Sequence, residues 1–450
     1  MKLTWTLTPA LLLLLVRPSD AKVQEENPEF WRSQARRTLQ SALDRKLNTN
    51  VAKNILFFLG DGMGITTYTG ARILKGQLEN QTGEETVMTM DTFPNVGLAK
   101  TYSVDFQIPD SAATATAYLC GVKTNLNVVG VCVCVQVIIG GGRKYMTPRG
   151  SKDPEYPRDY FSRGQRKDGR HLINEWQSMK PGKVAHYVWN KTDFDAVDPE
   201  TTDYLMALFE PGDMHFEAER DPDMDPSIVE TTEKAIRILQ KNPKGFFLLV
   251  EGGRIDQAHH AGRASMALHE TVAFDYAIAK GLELTEEHET LTVVMADHSH
   301  PVTFNGYPFR GQSILGKSPL WASDLLPYTT LMYGTGPGYR TSNGTRPDLR
   351  HVDTKAGDYV QQAAVPMASA THSGEDVAVL ARGPMAHLFQ GVNEQNFVAH
   401  AMAYAACVGA DRRHCQGPTE ANGVTGAAAR AAGGGALAVL AALLALRVFM

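Results

Sequence analysis

The stretch TLTVVMADHSH, Thr290 to His300, decides the fold. It opens on a run of apolar and β-branched residues without the alternation of a half-exposed strand, which is how a strand buried on both faces reads. Asp297 and His298 follow at once, so the run delivers a carboxylate and an imidazole to its carboxyl end. Further runs of this kind are NILFFLG (54–60), VIIGGG (137–142), GFFLLVEGG (245–253) and DVAVLARG (376–383). Between them lie helix-like segments such as PSIVETTEKAIRILQKNP (226–243) and ASMALHETVAFDYAIAKG (264–281). The alternation predicts an α/β fold with a central, mostly parallel sheet flanked by helices on both faces. Ligands of such sheets bind beyond the carboxyl ends of the strands, so the polar residues just after these runs are where chemistry is expected.

The bulk numbers agree with a large folded body. The chain has 450 residues, is 43% hydrophobic and carries a formal charge of −5, too little basicity for an electrostatic nucleic-acid binder. No repeat or Ser/Gly/Pro-rich linker divides it, so residues 22–421 are expected to form one domain, with 306–369, rich in Gly, Pro and Ser, as a small insertion subdomain. Residues 1–21 have the pattern of a cleaved secretory signal. At the other end, Ala436 to Met450 is apolar except for Arg447 and short for a bilayer span. It follows a spacer and small residues around Asn422 and Gly423, the pattern of a glycolipid-anchor (GPI) signal over 422–450 with Asn422 as the attachment site. A cell-surface location on the extracellular side is therefore expected. Sequons at Asn80, Asn190 and Asn343 suit that route, and so does a disulfide between Cys407 and Cys415. Cys120, Cys132 and Cys134 leave an odd thiol.

Asp61 follows NILFFLG, Glu251 follows GFFLLV with Asp256 and His260 just beyond, and His372 precedes DVAVL. One acidic residue at a strand end is ordinarily a turn former or helix cap. Several strand ends supplying Asp, Glu and His to one sheet edge point instead to metal, and mixed Asp/His sets favour zinc. The supply exceeds what one tetrahedral ion needs, so two metals are implied. Asp256 and His260 are spaced i, i+4 and share a face if the segment is helical. His259 then points away and reads as an ordinary core or surface histidine; His300 reads the same way unless it supports a ligand.

In IPDSAATATAYLCG (108–121), Ser111 follows Asp110 and opens a run of small residues with good helix propensity. It should stand at a helix N-terminus, where free N–H groups and the dipole favour an anion. A serine there is commonly only a cap. Beside a metal that lowers the pKa of its hydroxyl it becomes a nucleophile, and the set then describes phosphoryl transfer through a phosphoserine.

FLGDGMG, PDSAATATAYLCGVK, VEGGRID, ADHSH and THSGEDVAV together resemble the animal alkaline phosphatases, over about Glu25 to Cys415. The resemblance implies Ser111 as nucleophile, one zinc on Asp256, His260 and His372, and a second on Asp61, Asp297, His298 and the Ser111 oxygen. It implies a Mg²⁺ on Asp61 and Glu251, and a structural Ca²⁺ on Glu155, the Phe209 carbonyl, Glu210 and Asp225. It further implies small phosphomonoester substrates and a homodimer in which Tyr307 reaches toward the partner's active site. Gln257 stands where the family commonly has histidine. An arylsulfatase of related fold does not fit, because Ala112 and Ala113 replace the Pro and Arg pattern such enzymes need after the nucleophile.

The departure lies between about Val128 and Ile138, where VCVCVQ joins NVVG to VIIGGG. Family members carry several tens of residues there, including a further strand, a cysteine pair, the arginine that clamps the substrate phosphate and a hydroxyl ligand of the Mg²⁺. Arg143 belongs to a separate family motif and is no substitute. The expected function is thus a GPI-anchored extracellular alkaline phosphatase with two zincs and an incomplete Mg²⁺ site. The alternative is an anchored metalloglycoprotein with impaired or no turnover.

Overall fold

The computed structural model describes residues 27–128 and 135–415. The chain divides into two compact units, up to Leu47 and from Asn48 onward. In the first, helix α1 (Pro28–Leu43) starts on Asn27, whose side chain accepts from the Glu29 N–H, with Pro28 at the first helical position where its missing N–H costs nothing.

The second unit runs β1 (Asn54–Gly60), α2 (Ile65–Leu78), β2 (Asn95–Lys100), α3 (Ser111–Cys120), β3 (Val137–Gly140), α4 (Arg143–Met146), α5 (Leu172–Ser178), β4 (Ala185–Val188), α6 (Lys191–Ala196), β5 (Tyr204–Leu208) and α7 (Ile228–Leu239). It continues with β6 (Phe247–Glu251), α8 (Arg254–His260), α9 (Ala264–Glu283), β7 (Thr290–Ala296), β8 (Val302–Phe304), β9 (Leu331–Gly336), β10 (Ala363–Pro366), β11 (Val377–Arg382), β12 (Gly391–Glu394) and α10 (Phe397–Ala405).

Six strands form the main sheet in the order β12-β2-β11-β7-β1-β6. β1 and β7 are buried along their whole length, as their continuous apolar runs predict. Two consecutive phenylalanines in β1 show how both faces are covered. Side chains alternate along a strand, and the Phe58 ring meets Phe274 of α9 while the Phe57 ring meets Tyr118 of α3. α9 therefore lies on one face and α3 on the other.

One strand differs from the sequence reading. β11, grouped there with the parallel runs, is antiparallel to both β7 and β2, whereas β6, β1 and β7 run parallel. The reversal has a consequence for chemistry. An antiparallel strand begins at the edge where its neighbours end, so His372, just upstream of β11, reaches the carboxyl ends of β1 and β7.

The remaining strands form two small sheets. β8, β9 and β10 make one, in which most of residues 306–369 appear as loops around β9 and β10. β3, β5 and β4 make the other, all parallel. The second has its own core on each face: Leu205, Ala207 and Phe209 with Ile238 of α7 on one, Met206 and Leu208 with Ile173 of α5 on the other.

α9 is fixed to the main body by a buried charge. Asp275, fully enclosed, accepts from Lys75 Nζ at 2.8 Å and from the backbone N–H groups of Thr89 and Met90 at 3.0 and 3.1 Å. Removing that carboxylate strands a largely buried ammonium and two donors, which costs far more than the pair itself contributes. Asp275→Ala is expected to lower stability by about 3–5 kcal/mol, read as a reduced urea midpoint with unchanged slope.

Candidate active site

Three strand ends, two helices and one turn build the site. β1 hands over to Asp61, β6 ends on Glu251, and β7 hands over to Asp297 and His298. α8 adds Asp256 and His260 from one face, the i, i+4 spacing acting as expected. The turn before β11 adds His372, and α3 presents Ser111 at its first position, with Asp110 as cap accepting from Ala113 N.

The ligand atoms gather into two sets. In the first, His260 Nε2 lies 3.2 Å from Asp256 Oδ2 and 3.1 Å from His372 Nε2, and His372 Nε2 lies 3.4 Å from Asp256 Oδ1. In the second, His298 Nε2 lies 3.4 Å from Asp61 Oδ1, 3.3 Å from Asp297 Oδ2 and 3.1 Å from Ser111 Oγ, while Ser111 Oγ is 3.4 Å from Asp61 Oδ1. The His298 and His372 rings stack at 3.6 Å and join the two sets.

Histidine tautomers are arranged for metal. His260 Nδ1 sits 2.5 Å from the Ala370 carbonyl, His372 Nδ1 2.9 Å from the Pro109 carbonyl, and His298 Nδ1 3.3 Å from the Ser299 carbonyl. Each ring spends its Nδ1–H on a backbone oxygen and turns an Nε2 lone pair toward the carboxylates. Ligand atoms about 3.3 Å apart are what a tetrahedral cation with bonds near 2.0–2.1 Å requires.

Electrostatics point the same way. Burial raises the Asp61 pKa well above the usual carboxylate range, and the charges of Asp297, Asp256 and Glu251 push it further. Glu251 is raised likewise, by the protein packed round it and then by Asp297 and Asp256, although its side open to solvent leaves it exposed at the end of an edge strand. Burial opposes ionisation of Asp256 too, but hydrogen bonds to His260, His300 and His372 hold it well below its ordinary value. Burial drives His298 down to about 4, so its ring is neutral and free to ligate. Among the described residues the ion-pair partners of Asp61, Asp256 and Asp297 are histidines, never Lys or Arg. Burial opposes a charge on His372, yet its bond to Asp256 raises its pKa; a ring held neutral by burial, as at His298, cannot compensate converging carboxylates, whereas cations at the two sets can, so the residues fit the metals that the family resemblance implies.

His300 is placed in the site. Its Nε2 lies 2.5 Å from Asp256 Oδ1, which orients that carboxylate. His259 points into the core instead, between Thr67 Oγ1 at 2.9 Å and the Tyr333 hydroxyl at 2.7 Å. Sequence reading missed Thr114, one turn after Ser111, whose hydroxyl donates to Asp297 Oδ2 at 3.2 Å and ties α3 to β7. The i, i+3 spacing in SAATATAY was the available signal.

The proposed calcium residues are brought together in part. Glu210 and Asp225 flank His215, at 3.6 and 3.2 Å from its Nδ1, a residue the sequence reading did not include. Glu155 and the Phe209 carbonyl are both held by Arg143, at 3.0 and 2.7 Å. Arg143 itself is buried against Asp153 at 2.8 Å. Gln257 donates to Asp213 at 2.8 Å. Tyr307 is 85% exposed. Asn80 and Asn343 are exposed, whereas Asn190 caps α6 with its side chain. Cys407 and Cys415 form a disulfide. Cys132, Cys134, the signal segment and Asn422 lie outside the described residues.

A sheet whose carboxyl edge presents two Asp/His sets, with a helix-borne serine in one of them, defines an α/β phosphomonoesterase. The alkaline phosphatase family model matches residues 52–134 and 132–408. The rat tissue-nonspecific alkaline phosphatase (Rattus norvegicus) is 47% identical over 476 positions, covering 87% of this chain and 91% of the relative. The alkaline phosphatase of Gadus morhua is 44% identical, covering 86% of this chain and 99% of its own. Among solved structures, the Thermus thermophilus alkaline phosphatase superposes with a TM-score of 0.57 at 18% identity, covering 82% of this chain and 94% of that one. The enzyme from the Antarctic bacterium TAB5 gives 0.53 at 18% identity, covering 80% and 99%. The chain belongs to the alkaline phosphatase family. The two family-model segments meet at residues 132–134, and the rat alignment spans several tens more positions than the residues of this chain it covers. The departure seen in the sequence therefore falls at this junction.

The loop after β1 depends on one glycine. Gly62 has φ +66°, and a Cβ there would stand 2.7 Å from the His300 ring. Its N–H also donates to Asp297 Oδ1 at 3.0 Å. Gly62→Ala combines left-handed strain with a clash and is expected to cost roughly 1–3 kcal/mol, measured by urea unfolding.

Proposed function

We propose that this chain hydrolyses small phosphate monoesters by way of a phosphoserine at Ser111, with two zinc ions and one magnesium ion, at the outer face of the cell. The observation that carries the reading is Ser111 Oγ itself, at the N-terminus of α3, 3.1 Å from His298 Nε2 and 3.4 Å from Asp61 Oδ1.

Asp256, His260 and His372 would hold one zinc; Asp61, Asp297, His298 and Ser111 Oγ the other; Asp61 and Glu251 contribute to the magnesium. When bound, the zincs supply Lewis acidity toward phosphoryl oxygens and a lowered pKa for bound hydroxyl and water. The chain's residues do the rest. The amino end of α3 offers unpaired N–H groups and a partial positive charge to the phosphoryl group. Ser111 gives up its hydroxyl proton to solvent as Oγ attacks phosphorus, the ester P–O bond breaks, and the alcohol leaves with a proton drawn from solvent. Water then attacks the phosphoserine, the P–Oγ bond breaks, and Ser111 Oγ takes up one proton in place of the one the attacking water gives up as inorganic phosphate departs. Thr114 and Asp110 keep the helix end in place through both steps.

Secretion with residues 1–21 as signal, a mature domain 22–421, an anchor at Asn422 and glycosylation at Asn80, Asn190 and Asn343 complete the reading. Their support is the sequence pattern and the named relatives; among the described residues no helix is long and apolar enough to cross a membrane. The calcium site is supported by the convergence of Glu210 and Asp225, and the homodimer by resemblance together with the exposure of Tyr307.

A second reading is favoured by the junction at 132–134 and by the open side of Glu251: metal is bound but turnover is impaired. One experiment separates the two. Purified protein with Zn²⁺ and Mg²⁺ is assayed with p-nitrophenyl phosphate at alkaline pH, alongside Ser111→Ala and metal analysis. The first reading expects two zincs per chain and a rate that falls at least on the order of a thousandfold in the variant. Two zincs with no rate above the variant would establish the second. Separately, His372→Ala is expected to reduce zinc by one equivalent, since it removes one of three protein ligands from a single set; unchanged zinc content would refute the assignment.

A further inference from the structure

Between α4 and α5 the chain makes a long loop whose two sides are tied together. Arg149 N–H donates to the Arg166 carbonyl at 2.9 Å, Gly150 N–H to the Gly164 carbonyl at 2.9 Å, and Gly164 N–H to the Ser151 carbonyl at 3.0 Å. The enclosed segment, residues 152–163, is pinned again from inside. Asp153 accepts from the backbone N–H groups of Glu155 and Tyr156, both at 3.1 Å, and Asp159 accepts from that of Phe161 at 3.2 Å.

Two adjacent aromatic rings of this held segment face water. Tyr160 is 69% exposed and Phe161 77%, with their ring centroids 5.8 Å apart. Single apolar side chains on a surface are ordinary. Two neighbouring rings on a backbone fixed from both sides are left outside by the loop's own hydrogen bonds.

The charges around the rings are one-sided. Arg149, Lys152, Arg158 and Lys167 are exposed, and none of them enters an ion pair among the described residues. The acids nearby are mostly engaged. Asp153 and Glu155 pair with the buried Arg143 at 2.8 and 3.0 Å, and Asp168 pairs with Arg166. Asp159 alone is left without an ion pair, its oxygens turned to the Phe161 N–H and the Ser162 hydroxyl. Arg163 adds a guanidinium 5.7 Å from the centre of the Tyr160 ring. A chain with a formal charge of −5 thus gathers four unpaired cations about one loop.

Cations beside solvent-facing aromatic rings suit the interface of an anionic bilayer, where headgroups attract the cations and rings settle at the headgroup level. An acidic polysaccharide fits less well: the cations would meet it, and the Phe161 ring, which has no polar atom, would stay in water. We infer that the loop over residues 149–167 docks on a membrane surface that carries anionic phospholipid. Tyr160 and Phe161 enter the headgroup region, and Arg149, Lys152, Arg158 and Lys167 meet lipid phosphates. The loop supplies no member of either Asp/His set, so the inference stands apart from turnover.

The test mixes the purified full chain with vesicles of phosphatidylcholine, alone or with phosphatidylserine, and reads the bound fraction by sedimentation. Attachment through an apolar end of the chain is common to both vesicles and to every variant, so the differences carry the answer. Each cation near such a surface strengthens binding about fivefold, and the serine-containing vesicles are expected to bind about tenfold more tightly or better. Tyr160→Ser with Phe161→Ser is expected to lose most of that preference while keeping binding to immobilised heparin. Arg149→Gln, Lys152→Gln, Arg158→Gln and Lys167→Gln together are expected to lose both. Urea midpoints equal to the parent's show that these exposed substitutions leave the fold intact. Three outcomes overturn the inference: equal binding to the two vesicles; a preference that survives loss of the four cations; or a preference unchanged without the two rings, which would make the loop a polyanion site instead.

Discussion

Asp61, Glu251, Asp256 and Asp297 arrive from three strand ends and one helix at a single place, and among the described residues no lysine or arginine pairs with Asp61, Asp256 or Asp297 there. Such convergence is costly by itself, because like charges a few ångströms apart in a partly dry site each oppose the ionisation of the others. Much of the surrounding structure can be understood as the arrangement that makes it tolerable. Three histidines commit their Nδ1 atoms to backbone carbonyls so that Nε2 faces the acids. A fourth, His300, holds Asp256. The amino end of α3 adds a positive end of a dipole. None of these supplies a full compensating charge, which leaves the balance to cations.

Much of this site was legible in the sequence because strand ends are. An apolar run followed immediately by Asp or Glu marks a carboxyl edge, and parallel neighbours bring such edges together whatever their order in the sheet. Asp61, Glu251, Asp297 and His298 needed no more than that. Asp256 and His260 needed helical spacing as well. His372 is different: it precedes a strand, and only the reversal of β11 carries it to the same edge. Strand direction is decided by sheet pairing and leaves no trace in a run such as DVAVL, so periodicity gave the element without its sense.

The roles of neighbouring histidines were open for a related reason. His259 and His300 both read as ordinary core residues, and both are buried. What separates them is a contact more than forty residues distant in sequence: His300 finds Asp256, while His259 finds Tyr333. His215 and Arg143 show the same limit around Glu210, Asp225 and Glu155, where the sequence named the acids and missed the bases that join them. Pairings between distant segments belong to tertiary packing, which no local pattern encodes.

The position of the junction at 132–134 relative to the site explains how one could persist without the other. Every residue of the two Asp/His sets is carried by β1, β7, α3, α8 or the turn before β11, all within the main sheet and its helices. The junction instead precedes β3, in the small sheet, which shares α7 with the main body but, among the described residues, no strand pairing. Sheet continuity and ligand geometry are thereby decoupled everywhere except at Glu251. That residue ends β6, the last strand of the main sheet among the described residues, and it is the one acid of the site left exposed. A loss confined to this side would loosen the magnesium site proposed at Asp61 and Glu251 and weaken the enclosure of the substrate while leaving Ser111, the proposed nucleophile, and the histidine-bearing sets in register. Retained metal and diminished turnover are therefore compatible in one chain, since they depend on different edges of the same strand array.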